Sequence, residues 1–256
     1  MTTTVETPVR PTVYDRVSTR VAASPRLQIA VPALVTAVAG ILRFWNLGHP
    51  HELVFDETYY VKDAWSQWNL GFAAKWPDEA DERFAAGETD IFLDEGSYVV
   101  HPPLGKFLIG AGMALFGADS SVGWRFATAL FGTLAVLLLY VVALTLTRSI
   151  GVATAAAGLM AIDGLAIVLS RVALLDTFVM FFTLLAFWFV LLDRRWLHER
   201  EWPRRLATGR WSSESRWGPV FWARPWVVAA GLAAGAATAV KWAGLYVLAG
   251  IGVYLV

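Results

Sequence analysis

Apolar blocks alternate with polar stretches along this chain, at about 27–47, 122–147, 151–169, 172–192, 226–240 and 243–256. A bilayer core takes about 20 helical residues, so the first four blocks read as full spans and the last two as short ones. A seventh block, 103–117, is shorter than a comfortable span and opens on Pro102 and Pro103. That predicts an interfacial or re-entrant helix. The pattern as a whole predicts an all-α fold, a polytopic transmembrane helical bundle with a large external loop, 49–120, that contains interfacial helices.

Charge sets the expected orientation. The first 26 residues carry four Arg, 193–224 carries eight Arg against four acids, and 49–120 carries four basic residues against thirteen acidic ones. The bias of Lys and Arg toward the cytoplasm places the first two segments inside and 49–120 outside, provided 103–117 does not cross. The expected organisation is a flexible cytoplasmic tail, 1–26, then a membrane domain over 27–256 with a cytoplasmic loop at 193–224. The chain is expected to be a multi-pass plasma-membrane protein with a cytoplasmic N-terminus. It stops inside an apolar run at Val256, which reads as a fragment of something longer.

Composition narrows the class. The chain is 57% hydrophobic and 16% charged, against about 25% charged in soluble domains, so a soluble fold is excluded. With no cysteine there is no disulfide, thiolate nucleophile or Cys-ligated zinc. Trp45, Trp124, Trp196, Trp222, Trp226 and Trp242 sit beside span ends, as in an interfacial aromatic belt. Gly231 and Gly235 form a small-xxx-small face suited to close helix packing. The Arg-rich loop is accounted for by topology, so no nucleic-acid partner is expected.

The polar residues that remain fall at the external ends of the spans. Asp56-Glu57 follows the first span, and two adjacent carboxylates there can supply a general base; the plain reading of any one acid pair in so acidic a loop is a solvated surface. His101-Pro102-Pro103-Leu104-Gly105-Lys106 holds a His and a Lys at headgroup depth, as a helix entry with a snorkelling Lys or as part of a site. Ser170 to Asp176 is an external turn with Arg171 and Asp176 five apart, either a structural pair or an anion clamp. Arg125 and Lys241 complete an external cationic set suited to a lipid-linked phosphate. Asp163, deeper in a span, is a site candidate because a buried acid is costly there.

This constellation resembles the dolichyl- or polyprenyl-phosphate-mannose protein O-mannosyltransferases, membrane glycosyltransferases of the lipid-phosphate-sugar class. The matching pieces are Asp56-Glu57, HPPLGK at 101–106, Arg125 after Gly123-Trp124, SRVALLD at 170–176 and KWAG at 241–244. The composition, rich in Ala, Arg and Trp, points to an actinobacterial member, and the resemblance implies a chain about twice as long, of which this is the N-terminal half. The resemblance implies transfer of mannose from polyprenyl-phosphate-mannose to Ser or Thr hydroxyls of secreted polypeptides, emerging near the secretion translocon, with inversion in a single displacement on the extracytoplasmic face. Asp56 is then the base and Glu57 orients acceptor or base. Arg171, Arg125, Lys106, His101 and Lys241 face the phosphate, with Asp176 and Asp163 as further contacts. A lipid phosphate leaves readily, so no metal or other cofactor is required on chemical grounds. Two alternatives stay open. A sister enzyme using another lipid-linked sugar or a glycolipid acceptor would lack the HPPLGK and SRVALLD pair, and a transporter would need polar residues near the midplane of several spans.

Overall fold

The computed structural model describes residues 19, 21, 23–204 and 224–255. Most of the 1–26 tail, much of the 193–224 loop and Trp222 lie outside the described residues. The described elements are α1 (Pro25–Phe44), α2 (Glu57–Leu70), α3 (Ala80–Ala85), α4 (Leu104–Phe116), α5 (Ser121–Thr147), α6 (Ile150–Ile162), α7 (Gly164–Ser170), α8 (Asp176–Trp196, continued by a π-helical turn, Leu197–Glu201), α9 (Pro225–Val240) and α10 (Gly244–Leu255). Extended structure among them is confined to one isolated antiparallel bridge, Ala74 with Gly96. The expected all-α membrane architecture is met. Three helices are long and apolar enough to cross a membrane, Pro25–Phe44, Ser121–Thr147 and Asp176–Arg204.

Helix α5 is the axis of the bundle. It is apolar on nearly every side, and its 27 residues span about 40 Å at 1.5 Å per residue. Arg148 ends it in the left-handed region at φ 55°, and the Ser149 hydroxyl then accepts the Val152 N–H at 3.3 Å and starts α6. On one flank, Ala39 of α1 and Val136 and Tyr140 of α5 meet Ala153, Ala157 and Ala161, an alanine stripe with a four-residue repeat on α6. On the other flank α5 packs against α8, and α8 against α9. α10 folds back along them with Val247 and Ile251 against the Ala186, Ala233 and Ala234 cluster. Gly244 makes that reversal possible, because a Cβ there would collide with the Ala237–Thr238 backbone.

The two ends of the bundle differ. At one end Asp193 pairs with Arg224 at 2.6 Å, and Arg194 donates to the Tyr254 hydroxyl. At the other, Asp176 at the start of α8 pairs with Lys241 just after α9, at 2.8 Å. The 49–120 segment caps this second end. Val61, Ala64 and Phe84 from that segment form one core with Ile109 and Met113 of α4, Trp124 of α5, Leu175, Phe178 of α8 and Val240 of α9.

Two expectations are corrected. The block 151–169 is not one straight span: α6 and α7 are bent by 61° at Asp163. Asp163 is extended (ψ 122°), and its Oδ2 accepts the Ala166 N–H at 2.7 Å, starting a new helix. It thus caps α7 at the bend between the two helices. Gly231 and Gly235 also point away from the packing, since a Cβ on either meets nothing within 4 Å. The close face of α9 is instead Ala230, Ala233, Ala234 and Ala237, all buried, a small-residue stripe rotated one position along the helix.

Candidate functional site

A cavity of about 540 Å³ opens at the Asp176–Lys241 end of the bundle. Its wall includes Asp56, Tyr60, Lys62, Asp63, His101 and Lys106. Three residues expected from the sequence, Asp56, His101 and Lys106, are thus brought to one space. Asp56 sits at the N-cap of α2 with its carbonyl accepting the Tyr59 and Tyr60 N–H groups at 3.0 and 2.9 Å. Its charge lies close to the Tyr60 hydroxyl, which burial and then the Asp56 charge push up to about 12. Tyr60 therefore stays a donor at any physiological pH.

Lys106 is 2% exposed, and its Nζ meets Asp63 at 2.8 Å. Burial pushes the Asp63 carboxyl above its usual range, against the pull of Lys106 and Lys62. His101 tilts against Tyr60 with ring centroids 6.1 Å apart. Burial, and then the charges of Lys241 and Lys106, push its imidazole below the usual range, so it is neutral near pH 7. Among the described residues no group of three or more His, Asp or Glu side chains is placed to hold a metal ion.

Glu57 and Arg125 are together, but behind the cavity wall. Glu57 is 0% exposed and Arg125 1%. The guanidinium donates from Nε and Nη2 to the two Glu57 oxygens, both at 2.8 Å. Its other N–H groups go to the carbonyls of Leu47 (3.4 Å), Pro50 (2.8 Å) and Glu52 (2.9 Å). Glu57 also accepts the backbone N–H of Ala173 at 2.8 Å and of Val54 at 3.1 Å. Five guanidinium donors and four carboxylate acceptor sites are all used, so neither side chain has a bond left for a substrate. This departs from the phosphate and orienting roles expected of them.

Arg171 is also turned away from the cavity. Its guanidinium donates to the carbonyls of Leu42 (3.0 Å), Arg43 (3.3 Å), Trp45 (2.6 Å) and Asn46 (3.2 Å). Leu42 and Arg43 offer the orphan carbonyls of the last turn of α1 and Trp45 and Asn46 those of the turn that follows, where a cation also meets the negative end of the helix dipole. Arg43 does the same for α6, donating to Met160 and Ala161 carbonyls at 3.3 Å each while fully buried.

Gly105 explains how the separate motifs come to one place. A Cβ on it would lie 2.7 Å from Leu175 Cδ2 and 3.0 Å from Val240 Cγ1. HPPLGK, SRVALLD and the residues before KWAG therefore meet at a spot with room only for a hydrogen. From the far side, Trp242 donates to the Val100 carbonyl at 3.1 Å.

The comparisons with known proteins bear on this arrangement. A family model described as dolichyl-phosphate-mannose-protein mannosyltransferase matches residues 33–256. The chain belongs to that family. It is 38% identical over 229 residues to the polyprenol-phosphate-mannose--protein mannosyltransferase of Mycolicibacterium smegmatis (strain MKD8), covering 88% of this chain and 40% of the relative. The protein of the same name from Corynebacterium glutamicum is 36% identical over 225 residues, covering 88% of this chain and 40% of the relative. Protein O-mannosyl-transferase 1 of Mus musculus is 31% identical over 168 residues, 59% of this chain and 19% of the relative. This chain therefore spans about two fifths of the bacterial relatives. The family resemblance read from the motifs and the actinobacterial look read from composition are both met.

In this mannosyltransferase-family chain three site-region residues carried a signal that went unread. Tyr60 and Asp63 follow Asp56 at i+4 and i+7, one face of a helix, and both line the cavity. Arg43 was legible as an Arg at the end of a span, a costly place that asks for a partner.

The Gly105 contact yields a prediction. Gly105→Ala is expected to overpack the junction at a cost of about 1–3 kcal/mol, seen as a lower unfolding temperature in detergent. Gly231→Ala, with open space around its Cβ, is expected to leave that temperature unchanged.

Proposed function

We propose that this chain carries the catalytic face of an enzyme that transfers mannose from polyprenyl-phosphate-mannose to Ser or Thr hydroxyls of secreted polypeptides. The observation that carries the reading is the single cavity in which the Asp56 carboxylate faces His101 and the Lys106–Asp63 pair. In one displacement the acceptor hydroxyl oxygen bonds the anomeric carbon, the bond from that carbon to the phosphate oxygen breaks with inversion, and the polyprenyl phosphate leaves with the electron pair. The hydroxyl proton passes to Asp56. Tyr60 lies beside the Asp56 carboxylate, and Lys106 in the cavity wall, with the charge of Lys241 behind His101, balances the charge left on the phosphate. Neutral His101 is a hydrogen-bond partner for phosphate or sugar. The donor serves as co-substrate, and the chemistry asks for no cofactor beyond it.

Glu57, Arg125 and Arg171 act one layer back. They hold the 47–54 turn, the Ala173 backbone and the end of α1 in place, and so set where Asp56 and the cavity lie. Asp176 holds Lys241. The orientation follows Lys and Arg bias, with the cavity extracytoplasmic, the Asp193–Arg224 end cytoplasmic and the chain a multi-pass resident of the plasma membrane. Acceptors then reach the site as they emerge from the secretion translocon.

The test is transfer of labelled mannose from polyprenyl-phosphate-mannose to a Ser/Thr-rich peptide by membranes holding the full-length protein. Transfer to peptide from this donor, and none from polyprenyl-phosphate-glucose, is the expected result. Transfer only to a glycolipid fraction, or only from the other donor, would overturn it.

A further inference from the structure

The cavity that holds Asp56 is also lined by Leu93, Ser97, Tyr98 and Val100. These belong to an extended stretch held on one side through 93–97, while Trp242 takes the Val100 carbonyl from the other side and leaves Gly96 to Tyr98 between the two. Lys75 N–H bonds the Glu95 carbonyl at 2.8 Å, and Ser97 N–H bonds the Ala73 carbonyl at 2.9 Å. Between these two bonds Gly96 sits opposite Ala74 in a non-hydrogen-bonded position, so its own N–H and C=O face the other way. Tyr98, two residues on, presents its backbone on the same side. Neither Gly96 nor Tyr98 makes a backbone hydrogen bond among the described residues. A Cβ on Gly96 meets nothing within 4 Å, so the face above it is open, and both Gly96 and Tyr98 are exposed. Tyr98 is 92% exposed and Val100 61%, a short apolar face within an otherwise acidic loop.

An exposed strand edge is a template for another extended chain. We infer that the Gly96–Tyr98 edge receives the acceptor polypeptide as an added strand, in neutral or basic rather than acidic sequence, and so presents its hydroxyl residue to the cavity. The inference rests on the proposed transfer reaction. Three observations choose this occupant. The edge is continuous with the wall of the cavity that holds the base, so whatever binds it is delivered to Asp56. Its recognition elements are main-chain groups, which suit an acceptor used for its backbone and its hydroxyl. Glu95 is paired with Lys75 at 2.8 Å, and the neighbouring carboxylates Asp90 and Asp94 repel acidic flanks.

Such docking has a signature with a period of two, because alternate residues of an added strand turn their N–H groups toward the edge. The experiment uses membranes with the full-length protein, labelled polyprenyl-phosphate-mannose and a Thr-centred peptide N-methylated at one position at a time. Methylation at alternate positions is expected to lower kcat/KM about threefold to tenfold, through KM, since each removes one main-chain hydrogen bond. The positions between are expected to stay near the parent value. Acidic residues on either side of the Thr should raise KM and lysines lower it. In the protein, Gly96→Pro removes the outward N–H and should raise KM for peptide with kcat and the donor KM unchanged. Should that variant fail to fold, the peptide series decides alone. Equal tolerance of methylation at every position, or losses without alternation, overturns the inference and leaves the edge to another occupant such as the lipid surface. Absence of transfer to the unmethylated peptide overturns the parent reaction, and the inference with it.

Discussion

Asp56→Asn is expected to lower mannosyl transfer by about 10²–10⁴, the range a positioned general base contributes, while the protein inserts and unfolds like the wild type. The geometry supports both halves of that outcome. Asp56 lines the cavity beside Tyr60, and asparagine keeps the size of the side chain and a carbonyl oxygen. The main-chain bonds that start α2 use the Asp56 carbonyl and do not depend on the side chain. What asparagine cannot do is take the proton. Turnover with saturating donor and peptide, set beside thermal unfolding in detergent, checks the prediction. Turnover within a fewfold of wild type would remove Asp56 as the base.

Arg125→Ala is expected to lose activity by a different route, and the loss should appear first in stability. Removing the guanidinium leaves Glu57 as a charge with 0% exposure and strands three loop carbonyls. Breaking a buried pair in this way costs about 3–5 kcal/mol, a large share of the about 5–15 kcal/mol that holds a domain together. The 47–54 turn and the Ala173 backbone should become open to protease. A double change of Arg125 and Glu57 to apolar residues should recover part of the loss by removing the uncompensated charge. It should not recover all, because the Leu47, Pro50 and Glu52 carbonyls still lack their donor. If Arg125 held the donor phosphate instead, the single variant would keep wild-type stability and show only a raised KM for donor.

The span pattern and the motifs at 101–106, 170–176 and 241–244 were legible because each leaves a local trace: an apolar run, a Pro-Pro pair, a charge beside a span end. Helix α4 is where 103–117 placed it. The break at Asp163 left a trace as well, an Asp-Gly pair in an apolar block. It was outweighed by the length of the run. What the sequence could not show is where Arg125 and Arg171 point. Both take their partners mostly from backbone carbonyls, at 47–52 and at 42–46, and a carbonyl is present at every residue whatever its side chain. The pairing of Glu57 with Arg125 across 68 positions was hidden by the adjacent Asp56, since two neighbouring carboxylates read as one unit. Helical geometry separates them: one turns into the cavity and the other into the core.

The fully buried Arg43 has a consequence for how the protein is made. Its carbonyl partner Ala161 lies 118 residues further along the chain. At about 5–20 residues per second of synthesis, α1 waits roughly 6–24 seconds for α6 to appear. Through that interval the guanidinium is left without its partners on α6 at the end of a newly inserted helix, where a charge held in hydrocarbon costs about 2.5–3.5 kcal/mol unless it reaches the headgroups. Helix α1 is thus made well before the helix that satisfies its buried cation, and its final depth is decided by that later helix.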